Sequence, residues 1–218
     1  AYRMQKRPVE SEIAAREGIT ITIKNFGVDS PDVARGLITL SFTVNSQGRS
    51  SEAVLLAKTA LNQLLKNRSD QASTRVIGAR KALATALVAQ NNFFEADKVF
   101  NEMVAGIKTD VDMSSKYRYE NLDWVMAQIE IGKVQSAVKM SSDLLTLDEA
   151  RLDKNSNVLA MSRAFHGAAL QASLDLNGAN AEFRVATPIL IEESQNNAEN
   201  STNSVMTQLR QNFAFNKY

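Results

Sequence analysis

The sequence contains no cysteine and only one histidine among its 218 residues. Without cysteine, the chain cannot form a disulfide, a thiolate metal site or a cysteine nucleophile of its own. A transition-metal site would then need several carboxylates beside His166, and none cluster at ligand spacing. We therefore predict no catalytic residue, no metal ion and no cofactor, which indicates a protein that is not an enzyme.

Long apolar runs and a strong net charge are also lacking. No apolar stretch approaches the ~18 residues that cross a bilayer, and the first residues, Ala1 to Pro8, do not form a signal-type apolar segment. The formal net charge is +1, which gives no electrostatic reason to expect a nucleic-acid partner. We predict a soluble protein without a membrane span. A cytoplasmic location stays open, as does a periplasmic or secreted one after signal-peptide removal, and so does the oligomeric state.

Helical periodicity dominates the chain from Ser30 onward. Ser30 followed by Pro31 and Asp32 is typical of a helix start, because serine caps the first turn, proline fits it, and an acid complements the helix dipole. Apolar residues then recur at i, i+3 and i+4, as they do in residues 53–65. Residues 1–29 differ. Val9 to Glu17 are a candidate short helix, and the alternation of Ile19 to Ile23 predicts an extended or strand-like leader.

The helical part repeats internally. A small residue opens a second helix at Ala53, Ala96, Ala137 and Ala179, with spacings of 43, 41 and 42 residues. Each of these four residues is preceded, in the first helix of its pair, by a large residue and the residue next to it. Each is followed, in the second helix, by two further packing positions. The preceding pairs are Leu40-Ser41, Leu83-Ala84, Trp124-Val125 and His166-Gly167, and the following positions are Ala57 and Ala60, Phe100 and Met103, Ser141 and Leu144, and Phe183 and Ala186. Antiparallel helices approach closely where small side chains face large ones, so Trp124 and His166 are predicted core residues.

This pattern resembles the tetratricopeptide (TPR) repeat. The resemblance implies an all-α, right-handed α-solenoid of about four TPR-like antiparallel helix pairs, with an extended N-terminal leader and a C-terminal helix. The predicted domains are a leader (1–29), the array (30–193) and a polar insert with a capping or continuing helix (194–218). The predicted pairs are 30–67, 72–107, 115–145 and 157–193. The ~42-residue repeat is longer than the usual ~34, and the proline expected at the end of each unit is absent.

The last pair carries a narrower resemblance. Residues Gly178 to Ile191 read GANAEFRVATPILI, which is similar to the TPR region preceding a caspase-like CHAT protease domain in many bacterial proteins. That resemblance implies a regulatory or partner-binding arm of a larger bacterial protein. The catalytic histidine and cysteine of that family lie in the protease domain, so no catalytic residue is transferred to this chain.

The resemblance also indicates where a partner would bind, because the first helix of each pair lines the concave face of such arrays. We expect a protein or peptide partner to lie there as an extended or helical segment. The predicted partner-binding residues are Asn45, Lys81, Thr85, Val88, Arg118, Leu122, Met126, Arg163 and Gln171. The predicted function is a non-catalytic protein–protein interaction scaffold. The alternatives are a helical-repeat sensor that binds a peptide or small ligand in this groove and an enzyme built on a helical scaffold.

Overall fold

The structure is a computed structural model that describes residues 8–107 and 121–198, all of which form helices and their connections. Residues 8–107 belong to one compact unit and residues 121–198 to a second. The helices of the first unit are α1 (Pro8–Phe26), α2 (Pro31–Asn45), α3 (Ser50–Lys66), α4 (Thr74–Ala89) and α5 (Phe93–Gly106). Those of the second are α6 (Leu122–Glu130), α7 (Val134–Arg151), α8 (Asn157–Ala172) and α9 (Leu176–Ala198).

The N-terminal segment is a helix, so the prediction of an extended or strand-like leader is wrong. Helix α1 packs on α2 at Gly36, where an added Cβ would lie 2.6 Å from Ile19 Cγ1. Thr22 donates its hydroxyl hydrogen to the carbonyl oxygen of Gly18 at 2.7 Å, a bond within the helix. The close contact with α2 outweighs the preference of alternating isoleucine and threonine for a strand, a preference that depends strongly on context.

Serine residues cap α2 and α4, which are the first helices of the two helix pairs in the first unit. The Ser30 hydroxyl accepts a hydrogen bond from the N–H of Asp32 at 3.3 Å, and α2 begins at Pro31 as predicted. Ser73 caps α4 in the same way, accepting from the N–H of Val76 at 3.3 Å. Each cap satisfies a backbone donor that the first turn of a helix leaves unpaired.

The repeat positions form the interior of the helix pairs. The four alanines that open the second helices, Ala53, Ala96, Ala137 and Ala179, are all buried. In the first unit, the Ser41 hydroxyl donates to the carbonyl oxygen of Ala53 at 2.8 Å and so joins α2 to α3.

In the second unit, a Cβ on Gly167 would lie 2.9 Å from Phe183 Cε1, so α8 approaches α9 through a residue without a side chain. Trp124 is also buried, as the repeat pattern predicts. The packing of a small residue against a large one is therefore seen directly at Gly167 and Phe183.

The turns inside the helix pairs also repeat. Gly48, Asn91, Gly132 and Leu174 all have positive φ angles, between 58° and 81°. In the sequence, Leu176 to Gly178 predict the fourth turn because glycine is a typical turn residue. The turn lies earlier in the structure, because Gly178 is inside α9. There its N–H donates to Asp175 Oδ1 at 2.9 Å. A leucine therefore occupies the left-handed position that glycine and asparagine adopt at lower cost.

Helix α9 continues to Ala198, past the predicted end of the array. The predicted C-terminal helix and most of the predicted polar insert lie outside the described residues. No helix in the part of the chain that the structure describes is long and apolar enough to cross a membrane.

Candidate protein-binding surface

Helices α2 and α4, the first helices of the two pairs in the first unit, lie side by side. An added Cβ on Gly78 of α4 would be 4.0 Å from Ile38 Cδ1 of α2, an ordinary van der Waals contact. At the start of both helices, Arg75 Nη2 lies 3.3 Å from Asp32 Oδ1. These contacts make one continuous surface from two helices.

We call this surface the α2–α4 face. Its residues on α2 follow i, i+3 and i+7 spacing, which keeps them on one side of that helix, and its two residues on α4 are six positions apart. They are exposed or half-buried and lie at Arg35, Ile38, Phe42, Arg75 and Lys81. The face thus combines two apolar side chains with three cationic ones.

The two arginines of the α2–α4 face share one carboxylate. Asp32 is the carboxylate seen between its arginines, lying 3.3 Å from both Arg35 and Arg75. Such exposed ion pairs contribute only ~0.2–1 kcal/mol each, so the arginines can exchange this carboxylate for one on a partner at little cost. The face therefore suits a segment that is both acidic and apolar.

Three of the predicted binding residues in the first unit are not accessible. Asn45, Thr85 and Val88 are buried, so their assignment to a partner-binding surface is wrong. The cause is the packing of α4, in which the residues from Ala82 to Val88 are all buried among neighbouring helices. Lys81 is half-buried, and its role in binding a partner stays a prediction.

The second unit presents a different surface on α6 and α8, which are in contact with each other. Leu122 and Met126 on α6 and Gln171 on α8 are half-buried there, and none of them is charged. Arg118, a further predicted binding residue, lies outside the described residues.

Arg163 does not belong to the α6–α8 surface. Its Nη1 lies 2.8 Å from Glu182 Oε2 of α9, and its Nη2 pairs with Glu149 of α7. The guanidinium thus links the two second helices of this unit. Residue 163 lies one helical turn before His166, which is a predicted core residue, so both side chains are on the same side of α8. The prediction of Arg163 as a partner-binding residue did not take this into account.

His166 packs between helices, as its repeat position predicts. Its Nδ1 lies 3.0 Å from Ser141 Oγ, the distance expected of a nucleophile and its base. The serine hydroxyl, however, also lies 2.8 Å from the carbonyl oxygen of Ala137, and Ser141 is only 1% exposed.

A substrate cannot reach this hydroxyl without opening the helix pair. Burial lowers the pKa of His166, although the nearby Glu182 carboxylate opposes the effect. The imidazole is therefore neutral at pH 7 and serves the packing of α7 against α8. Across residues 8–107 and 121–198, no group of three or more carboxylate or imidazole side chains could hold a metal ion.

Sequence reasoning missed Arg35, Ile38 and Phe42. The signal was present, because these residues precede the predicted Asn45 by ten, seven and three positions and so share its side of α2. Applying the helical spacing from Asn45 toward the start of α2 would have identified these three accessible residues.

The sequence matches no protein-family model and no curated protein. The structure is similar to the nearly identical TPR-like repeats of a kinesin light chain-like protein from Podosopora anserina, with a TM-score of 0.62, 19% identity and 92% coverage of each chain. It is also similar to BtubC from P. vanneervenii, with a TM-score of 0.65, 17% identity, and coverage of 93% of this chain and 78% of that one. The chain thus has the predicted all-helical, TPR-like solenoid fold, and similarity at this level of identity shows the fold alone.

Proposed function

We propose that this chain is a non-catalytic protein-interaction scaffold that holds a segment of another protein on the α2–α4 face. The observation that carries the proposal is the row of cationic and apolar side chains that two neighbouring helices present together. Ile38 and Phe42 would contact the apolar side of the segment, while Arg35, Arg75 and Lys81 would contact its carboxylates. A short acidic helix or extended peptide supplies both kinds of group.

The expected affinity is modest. Each exposed ion pair contributes ~0.2–1 kcal/mol, and the half-buried Ile38 and Phe42 have limited area left to bury at ~25 cal/mol per Å². Reversing two of the charges converts two attractions into two repulsions. We expect the double variant Arg35→Glu, Lys81→Glu to weaken binding by roughly tenfold or more, since ~1.4 kcal/mol corresponds to a factor of ten.

The first test locates the partner by photo-crosslinking. A benzophenone amino acid placed at Phe42 reports on the α2–α4 face, and the same amino acid at Leu55, 66% exposed on α3, serves as the matched control. The expected result is an adduct with one protein from position 42 and none from position 55. Adducts of equal yield from both positions would contradict the proposed surface.

The second test uses the purified partner. Its affinity is measured by calorimetry for the wild type, for Arg35→Glu, Lys81→Glu, and for the control Lys58→Glu, an exposed lysine on α3. We expect the control to bind within about twofold of the wild type, because Lys58 lies outside the face. Equal binding by all three proteins would refute the location even if the partner itself is real.

We further propose that the scaffold is the regulatory arm of a larger bacterial protein with a CHAT-type protease domain. The support is the resemblance of Gly178 to Ile191 to the repeat that precedes such domains. In the structure, this stretch lies in α9, where Ala179, Ala186 and Leu190 are buried. Sequencing the gene beyond the codon for Tyr218 tests the proposal, since it requires a caspase-like domain with its own histidine and cysteine to follow.

A further inference from the structure

The turn between α1 and α2 holds apolar side chains in solvent. Phe26, the last residue of α1, is 70% exposed, and Val28 in the turn is 62% exposed. Ile23, about one helical turn before Phe26, is exposed as well. We call these three residues the α1–α2 tip. Because their side chains bury little area within the chain, they contribute little to its folding.

Helix α3 holds the backbone of this turn in place. Gln63 on α3 donates hydrogen bonds from Nε2 to the carbonyl oxygens of Val28 at 2.8 Å and Ser30 at 3.0 Å. Asn67, at the end of α3, donates from Nδ2 to the carbonyl oxygen of Asp29 at 2.7 Å. Three successive carbonyl oxygens therefore have partners inside the chain. The turn can leave water without losing these hydrogen bonds, which removes a large part of the cost of entering an apolar medium.

Positive charge surrounds the tip. The segments 23–29 and 63–68, which these hydrogen bonds join, carry three cations and one acid, a formal net charge of +2. The charged residues are Lys24, Asp29, Lys66 and Arg68, and all four are exposed. Lys66 Nζ lies 4.0 Å from Asp29 Oδ1, an exposed pair that the lysine can exchange for another anion at little cost. The tip therefore suits a surface that is both anionic and apolar.

We propose that the α1–α2 tip binds the surface of an anionic lipid bilayer. Phe26 and Val28 enter the boundary between headgroups and acyl chains, and the neighbouring cations contact the phosphate and carboxylate groups of the lipids. The contact is peripheral and reversible. Its strength stays below that of a single buried acyl chain, so we expect half of the protein to bind at ~0.1 mM accessible lipid or above.

The shape of the tip favours a bilayer over a protein partner. Phe26 and Val28 protrude from a turn, and a protein would have to provide a preformed apolar pocket for them. A bilayer accepts protruding apolar side chains without such a pocket, and its negative surface potential attracts the three cations. The tip shares no residue with the α2–α4 face, so the two proposed sites can be tested separately.

Vesicle sedimentation tests the proposal with the full chain. The vesicles are phosphatidylcholine with about a third phosphatidylserine, and pure phosphatidylcholine vesicles test the need for anionic lipid. Phe26→Ser should lower the partition coefficient by roughly tenfold. The matched control is Phe94→Ser, since Phe94 is 75% exposed at the start of α5 and is followed by Glu95. This control should bind like the wild type.

A second set of variants measures the charge contribution. Lys24→Gln, Arg68→Gln should lower the partition coefficient by roughly ten- to thirtyfold, because each cation near an anionic surface contributes about a factor of five. Lys58→Gln, an exposed lysine elsewhere on α3, should have no effect. Added salt should weaken the binding of the wild type, since it screens exposed charges. Far-UV circular dichroism checks that each variant is folded.

Fluorescence reports on the depth of insertion. With Phe26→Trp, the introduced indole should shift its emission to the blue on anionic vesicles and be quenched by lipids with brominated acyl chains. The wild type is the control, because Trp124 is 2% exposed and should respond to neither.

The proposal is overturned if the chain does not sediment with phosphatidylserine vesicles at millimolar lipid. It is equally overturned if Phe26→Ser binds as well as the wild type, if Phe94→Ser loses as much binding, or if pure phosphatidylcholine binds as strongly. A chain that ignores vesicles but forms a photo-crosslink from position 26 to another protein would assign the tip to a protein partner and refute the bilayer.

Discussion

A ring of four charged side chains ties α1 to the start of α3. Glu12 lies 2.7 Å from Arg49 and 2.8 Å from Arg16, and Arg16 also lies 2.7 Å from Glu52. Arg49 pairs with Glu52 and closes the ring. Glu12 is the least exposed of the four side chains. We predict that Glu12→Gln, which keeps the shape of the side chain and removes its charge, weakens the attachment of α1.

The magnitude follows from the pKa of Glu12. Burial by itself raises this pKa, but hydrogen bonds from Arg49, Arg16 and Gln47 outweigh it and lower the pKa from 4.5 to about 2. A shift of this size corresponds to roughly 3 kcal/mol at most. Solvent screening at the partly exposed arginines reduces the contribution, so we expect Glu12→Gln to lower the free energy of unfolding by ~1–2 kcal/mol.

The pH dependence has a definite sign. The pKa of Glu12 is lower in the folded state than in the unfolded one, so its stabilisation is fully present above about pH 4.5 and disappears as the pH falls toward about 2. The glutamine variant has no carboxylate to protonate at this position. The stability difference between wild type and variant should therefore shrink steadily across that interval.

Urea unfolding followed by far-UV circular dichroism measures this difference at successive pH values. The control variant is Glu192→Gln, an exposed carboxylate on α9, which should unfold like the wild type at each pH. A difference between wild type and Glu12→Gln that stays constant from neutral pH to about pH 3 would refute the reasoning. So would a variant as stable as the wild type at pH 7.

Three further predictions concern single side chains, each read out by urea unfolding. Arg80 is buried, and burial lowers its pKa. Its Nε and Nη1 lack hydrogen-bond partners within the described residues. Arg80→Met should therefore raise the free energy of unfolding by ~1 kcal/mol, and a lower value would contradict this. His166→Gln should remove a decline in wild-type stability as the pH falls below about 6.5, seen in the fluorescence of Trp124, because neutral His166 is favoured in the folded state. Leu174→Gly should raise stability by up to ~1 kcal/mol by relieving a φ of 69°, whereas Ser173→Gly should not.

Contacts close in sequence explain why the helix pairs could be predicted. Ser41 and Ala53 are twelve residues apart and touch across one turn, so the requirement for small residues appears in the sequence as a regular spacing. The same argument covers the cap at Ser30, which acts within its own first turn. The turn at Leu174 escaped because leucine seldom takes a positive φ, and the nearby Gly178 was the more typical turn residue.

Contacts distant in sequence explain what could not be predicted. The helical state of residues 19–23 depends on the close contact of Ile19 on α1 with Gly36 on α2. The burial of Thr85 depends on the helices packed around α4, and the ion pairs of Arg163 depend on where α7 and α9 place Glu149 and Glu182. A repeat pattern states which side of a helix a residue occupies, but not what lies beside it.

The sequence by itself thus determined an array of helix pairs, because the packing inside each pair is local and repeats every forty-odd residues. The tertiary structure decided which residues of that array remain accessible at the surface. It buried Asn45 and Val88, engaged Arg163 in ion pairs, and left Arg35, Ile38 and Phe42 accessible. The physical reason is that accessibility depends on the side chains that neighbouring helices bring to the surface, and the spacing of a single helix does not contain that information.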